Sequence, residues 1–181
     1  MLFLDELPEF SRPALEALRV PLEEGRVQIS RVWGTVDMPA RCIAIAAMNP
    51  CPCGHAGDPD RECTCASQRV SAYRGRLSGP LIDRFHLHVQ VPRADAHGAH
   101  GEPSAVVAAR VAAARALIAS GPPELGADAA AMLAAAVNVG RLSGRSADRA
   151  VSVAQTIAAL AARESVDGDD MAEALSYQGR A

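Results

Sequence analysis

"MLFLDELPEF" occupies residues 1–10 and "AAMNPCPCG" occupies residues 46–54. Each is an apolar run that stops on a polar group: the acids Asp5 and Glu6 in the first, the amide of Asn49 in the second. Met1–Leu4 reads as a buried central strand, and "CIAIAAMN" (42–49) reads as a second strand beside it. Two carboxylates and an amide at one sheet edge suit ATP hydrolysis. One acid holds Mg2+ through its water shell, and the other orients and polarises the attacking water. Asp5 is the expected metal-side acid and Glu6 the water-activating one. Asn49 is placed to position that water or to sense the γ-phosphate. Taken singly, an ordinary strand exit and a turn before proline account for the same residues.

Outward from these strands, Ser11 is expected to cap a helix over 12–24, with Pro13 in its first turn and Gly25 at its end. "RVQIS" (27–30 with Arg26) alternates like a strand and "RVWGTVDMP" (31–39) reads as a turn, so 26–49 is a hairpin leading into the core strand. Residues 50–65 form a Pro/Gly/Cys loop, "SQRVSAYRGRL" (67–77) a helix, and "FHLHVQVP" (85–92) a third strand. Composition then changes. Residues 94–104 read as a linker, and 105–181 as helices over 105–120, 129–139, from Ser143 or Ser146 to about 163, and from Asp167. The expected organisation is an α/β part (1–93), a linker (94–104) and an all-α part (105–181).

The 181 residues are 49% hydrophobic and 22% charged, within the range of globular domains. Aromatics are only 3%, so the core is built from small side chains. No apolar run reaches the ~18 residues of a membrane span, and the acidic start is unlike a secretion signal. A cytoplasmic protein without a membrane partner is expected. The net charge of −3 argues against a broad nucleic-acid footprint and leaves room for local basic strips. All 18 basic residues are arginine, so no lysine is present to serve a P-loop.

Cys51 and Cys53 form one C-x-C, and Cys63 and Cys65 another. In a reducing compartment, four thiols so close in sequence suggest one structural, tetrahedral Zn2+ that stiffens the loop after Asn49, with His55 as a substitute ligand. Four unligated thiols in a turn-rich loop are the alternative. Cys42 is expected as a small buried hydrophobe. Arg69, Tyr73 and Arg76 share one helical face near Arg74, and Arg26, Arg31 and Arg41 surround the hairpin holding Trp33. Arg31 and Trp33 are candidates for contacting a DNA strand by charge and stacking. A solvated face with a packed tryptophan is the other possibility.

The stretch "FLDELPEF…LEALRVPLEEGRVQISR…PARCIAIAAMNPCPCG…CTC…RLSGPLIDRFHLHVQVPR" resembles the magnesium-chelatase-like AAA+ ATPases, specifically their ComM/YifB branch. The resemblance covers nearly the whole chain and is most specific over 1–93. It implies an ATP- and Mg2+-dependent module working in a ring, usually a homo-hexamer. In this branch it implies a helicase-like role on DNA in recombination and natural transformation. By position, Asp5 and Glu6 match Walker B, Asn49 matches sensor 1, and Arg84 matches the arginine finger that reaches a neighbouring subunit's nucleotide. Arg145 takes the sensor 2 position, with Arg149 one turn further on the same face. Ser152 and Gln155 stand where family members usually carry arginine, and His86 replaces the usual aspartate.

The resemblance therefore implies an α/β region that is the C-terminal half of an AAA+ P-loop core, an incomplete parallel sheet with a hairpin insertion, followed by a helical lid. The P-loop signature G-x-x-x-x-G-K-[ST] does not occur. The chain is accordingly expected to be the C-terminal portion of a longer ATPase, inactive on its own. Two other functions fit parts of the pattern: the ATPase subunit of a true magnesium chelatase, and a non-catalytic, zinc-stapled binding module.

Overall fold

The computed structural model describes residues 1–91, 101–140 and 142–178. The chain divides into two compact units, Met1–Phe85 and His86–Arg180.

The first unit begins with β1 (Leu2–Leu4) and a 3-10 turn at Leu7–Glu9. Helices α1 (Arg12–Ala17) and α2 (Arg19–Glu24) follow, then β2 (Arg26–Arg31), β3 (Gly34–Pro39) and β4 (Ala44–Ala46), and finally α3 (Ser67–Arg74) and α4 (Gly79–Ile82). β1 and β4 pair in parallel, Leu2 with Ala44 through Leu4 with Ala46. One face of this pair rests on a leucine cluster of Leu4, Leu7, Leu15, Leu77 and Leu81. The opposite face is open: Phe3 and Ile45, directly paired, are 59% and 44% exposed. β1 is thus buried on one face only, not on both as its apolar run suggests. Cys42 is likewise exposed, because it lies just before β4 where no layer among the described residues covers it.

Ser11 caps α1, its hydroxyl accepting from the Ala14 amide at 3.4 Å. The single helix expected over 12–24 is broken at Leu18. Pro21 is the cause. It lacks the N–H that would bond to the Ala17 carbonyl, and its ring crowds that carbonyl. Gly25 ends α2 at φ 65°, where its N–H reaches the Pro21 carbonyl at 3.0 Å. β2 and β3 form an antiparallel hairpin in register from Arg26↔Pro39 to Arg31↔Gly34. The stretch read as a turn over 31–39 is therefore mostly a strand, with Val32 and Trp33 alone forming the turn. The third strand does not form over 85–91. Its alternation is present, but a strand needs a ladder, and Leu87, Val89 and Val91 are 52%, 63% and 86% exposed. The end of that stretch, and residues 94–100 of the expected linker, lie outside the described residues.

The second unit contains α5 (Ser104–Ser120), β5 (Glu124–Leu125), α6 (Ala127–Asn138), α7 (Gly144–Leu160), β6 (Ser165–Val166) and α8 (Gly168–Ser176). α7 is its axis, packing against α5 and α8. Ala150, Ala154 and Ala158, four apart, are fully buried, so helices approach closely over a small-residue stripe. Gly126 is the N-cap of α6, which begins at Ala127, two residues before the expected start. Asp128 lies in the first turn and accepts from the Gly168 N–H at 2.8 Å. That bond and the Ala129 N–H hold its carboxyl below the usual range, and they tie the start of α6 to the start of α8.

Asp167 caps α8 in a reciprocal box with Asp170. Asp170 is 2% exposed and takes a bidentate pair from Arg163. Burial alone raises its pKa. The Arg163 guanidinium and the Asp167 N–H outweigh burial and leave it lowered. Because the folded pKa is depressed, the pair stabilises above about pH 4, where the unfolded acid is ionised, and the contribution is lost as pH falls. Asp170→Ala should lower the stability of the second unit by about 2–3 kcal/mol, less than a fully buried pair because Arg163 is 38% exposed. Thermal melts at pH 7 and pH 3 check it: the difference between wild type and variant should shrink at the lower pH.

Candidate nucleotide site and cysteine cluster

β1 ends at Leu4, and the chain turns at once. Glu6 adopts left-handed backbone at φ 50° and ψ 45°, a region that costs a non-glycine residue roughly 1–2 kcal/mol. The Leu7 N–H reaches the Ala47 carbonyl at 2.9 Å, and the Ala47 N–H reaches the Leu4 carbonyl at 2.9 Å. The two strands thus stay stitched one step past their last paired residues. A cleft of about 240 Å3 opens there, lined by Glu6, Glu9, Asn49, Pro52 and Tyr73. Glu6 and Asn49 therefore line one cleft beyond the same ends of adjacent parallel strands. Asp5 is exposed beside them, its Oδ1 accepting from the Glu6 N–H at 2.9 Å, and it does not line the cleft.

Besides Pro52 of the cysteine loop, the cleft gathers two more residues the sequence did not single out for it. Glu9 follows from the 3-10 turn. Tyr73 looks in sequence like part of an exposed arginine face, yet it is 6% exposed. The spacing of Val70 and Tyr73, continued by Leu77 just past the helix end, marks the inward side of α3. Burial raises the Tyr73 pKa, and the Glu9 carboxylate adds to it, while the backbone amide of Asn49 faces the hydroxyl and acts the other way. The phenol is therefore neutral at physiological pH. Among its lining residues the cleft has acids, an amide and a phenol but no cation. It suits the metal-and-water end of a phosphoryl-transfer site and has nothing to cradle a triphosphate. A second cleft of about 250 Å3 opens between α1 and α3, but its one lining acid, Glu16, is already bonded to Arg19 and Ser78.

Arg84 is held within its own unit. Its guanidinium donates to Glu23 and, at 2.8 Å, to the Pro80 carbonyl, and its Nε is buried without an acceptor. Arg145 and Arg149 belong to the first two turns of α7 in the other unit, where Arg149 donates to Ser146 Oγ at 3.0 Å.

The four cysteines of the loop converge. Their sulfurs all lie within 4.8 Å of one another. Cys51 is 3.4 Å from Cys53 and 3.6 Å from Cys63, and Cys53 is 3.6 Å from Cys63. Tetrahedral zinc with Zn–S near 2.3 Å requires sulfur–sulfur edges of about 3.8 Å, so the set is close to the right size. His55 is not part of it, since its Nδ1 faces Asp58 at 3.5 Å. The Ala56 N–H donates to the Cys51 sulfur at 3.3 Å. N–H groups of His55 and neighbouring thiols lower the Cys53 pKa to about 5. At Cys63 the Cys65 N–H favours the thiolate, but burial and the neighbouring sulfurs outweigh it and push the pKa up to about 12. The first thiol ionises easily and the later ones resist, a conflict that a divalent cation removes.

At the hairpin tip Val32 is fully exposed and Trp33 is 77% exposed, so the tryptophan is not packed beneath the hairpin. Arg31 is exposed beside it, whereas Arg26 is paired with Glu24 at 2.8 Å. No helix among the described residues is long and apolar enough to cross a membrane.

Residues 1–99 match the family described as magnesium chelatase, subunit ChlI, and residues 122–178 match its C-terminal counterpart. The chain belongs to this magnesium-chelatase-like family, within the group that includes ComM and YifB. It is 37% identical to competence protein ComM of Haemophilus influenzae over 98% of the chain and 38% of that relative. It is 37% identical to YifB of Salmonella typhimurium over 98% of the chain and 39% of that relative. It is 42% identical to an uncharacterized protein of Mycobacterium bovis over 98% of the chain and 39% of that relative. The chain thus spans under two-fifths of the length of these relatives.

Proposed function

We propose that the chain is the Walker B-to-lid portion of an AAA+ ring ATPase that moves or remodels DNA. The observation that carries this is the meeting of Glu6 and Asn49 in one cleft at the ends of two adjacent parallel strands, in a chain of this family. When bound, Mg2+-ATP supplies the reacting phosphoryl group. Glu6 then accepts a proton from the attacking water and orients it, and Asn49 fixes that water's position. Asp5 would hold the metal through its water shell. Arg84 leaves Glu23 to serve a neighbouring subunit's nucleotide, and Arg145 and Arg149 close the lid over the phosphates. The phosphate cradle comes from a P-loop half joined to this chain, and the working unit is a homo-oligomeric ring, a hexamer in the simplest case.

The test is to isolate the native protein from its host with an antibody against the second unit. A species much heavier than 18.9 kDa that hydrolyses ATP is expected. Turnover by the 181-residue chain on its own would overturn the proposal, and a native species at 18.9 kDa would point instead to a non-catalytic binding module.

The DNA part of the proposal rests on the exposed tip of the hairpin. A tryptophan left 77% in water beside an arginine suits stacking on an unpaired base. Trp33→Ala should weaken single-stranded DNA binding by roughly 5- to 100-fold, the equivalent of one lost base stack. Fluorescence anisotropy with an oligonucleotide checks this; unchanged affinity removes the hairpin from the DNA path.

The proposed occupant of the cysteine cluster is a structural Zn2+ bound by Cys51, Cys53, Cys63 and Cys65. All four positions are filled by protein sulfur, which leaves no open coordination site for catalysis.

A further inference from the structure

Asn49 stands three residues beyond Ala46, the last residue of β4, and the sheet ladder does not reach it. Pro50 follows and has no N–H with which to anchor the corner. A group whose task is to place a water to within about an ångström needs its backbone held by something else.

The C-terminal end of α3 does this. Tyr73 is 6% exposed, lines the cleft with Asn49 and Glu6, and presents its hydroxyl to the Asn49 backbone amide. The next residue, Arg74, donates from Nε to the Pro50 carbonyl at 3.1 Å. Two consecutive helix residues thus stand at the corner, Tyr73 buried in the cleft wall beside Asn49 and Arg74 bonded to Pro50. Arg76 reaches the other wall, donating to Glu9 and to the Phe10 carbonyl at 3.4 Å each. The helix end is itself fixed, because Leu77 is 8% exposed in the leucine cluster that also seats Leu4 of β1.

We propose that Tyr73 is a positioning residue of the nucleotide site, its buried hydroxyl holding Asn49 where that amide can place the attacking water. The inference rests on the ATPase function proposed above. It assigns a role in the hydrolysis step, not in nucleotide binding, because Tyr73 lines the cleft beside Asn49 and Glu6, where no cation is present among the lining residues to hold a phosphate.

The experiment compares Tyr73→Phe, Arg74→Ala and Glu6→Gln in the native, full-length assembly. Phenylalanine keeps the buried ring and removes only the hydroxyl. Tyr73→Phe should lower kcat about tenfold with KM for ATP, ring assembly and Tm unchanged, and Arg74→Ala should act in the same sense. Wild-type kcat in Tyr73→Phe, while Glu6→Gln is inactive, would overturn the role of Tyr73 alone. A fall in kcat that tracks a fall in Tm would assign Tyr73 to packing and also overturn it. Turnover insensitive to Glu6→Gln would instead sink the ATPase assignment of the cleft, and the role of Tyr73 with it.

Discussion

Glu6→Gln is expected to lower ATP turnover of the native assembly by about 10²–10⁴-fold while leaving ATP binding nearly intact. The side chain keeps its size and its left-handed backbone, and loses only the ability to accept the water's proton. Asp5 is left to serve the metal, so Mg2+-ATP should still bind and the ring should be trapped loaded. The expectation separates the two acids, because Glu6 lines the cleft and Asp5 does not. Single-turnover hydrolysis and nucleotide-binding titrations check it together. If Glu6→Gln weakens Mg2+-ATP binding and Asp5→Asn abolishes only turnover, the two roles are exchanged. The strain at Glu6 supports the assignment: left-handed backbone in a glutamate persists where surrounding bonds force it, here the Leu7–Ala47 bond one residue on.

Local signals with a single physical cause were legible in the sequence. Ser11 and Asp167 cap helices because a side-chain oxygen can satisfy free N–H groups wherever it sits. The polar ends of the two apolar strands and their adjacency were readable from the residues, while their parallel pairing was implied only by the family resemblance. What depends on partners was not legible. Residues 85–91 alternate like a strand but have no neighbouring ladder. Cys42 and Phe3 carry core-like side chains on a surface that no described element covers. Tyr73 sits among arginines that look solvated, and only the position of α3 over the strand ends turns it inward. The break at Leu18 was visible at Pro21 but is outweighed in a periodicity reading by good helix formers on either side. The C-x-C pairs announced a cluster, whereas the exclusion of His55 needed three dimensions, because only there does its ring turn to Asp58.

Cys63→Ser should reduce bound zinc from one ion per chain to near zero and loosen the corner that holds Asn49. The loop from 50 to 66 has almost no core of its own, since Cys51 is its one fully buried side chain. Without a cation, Cys63 and Cys65 keep their protons, and the loop is held by sulfur contacts and a few backbone bonds such as that from the Ala56 N–H to the Cys51 sulfur. With zinc bound, all four become thiolate ligands and the loop is closed at four points. Two of the thiols, Cys63 and Cys65, have raised pKa values, so binding at neutral pH releases protons and the apparent affinity should rise with pH. Metal analysis of purified protein and proteolysis with and without chelator check this. Chelation should expose cleavage between 51 and 65 while the second unit stays intact. Because Pro52 lines the same cleft as Asn49 and Glu6, loss of the metal should also slow hydrolysis in the native assembly. Protein that is metal-free, protease-resistant and active would show instead that the reduced thiols alone hold the corner.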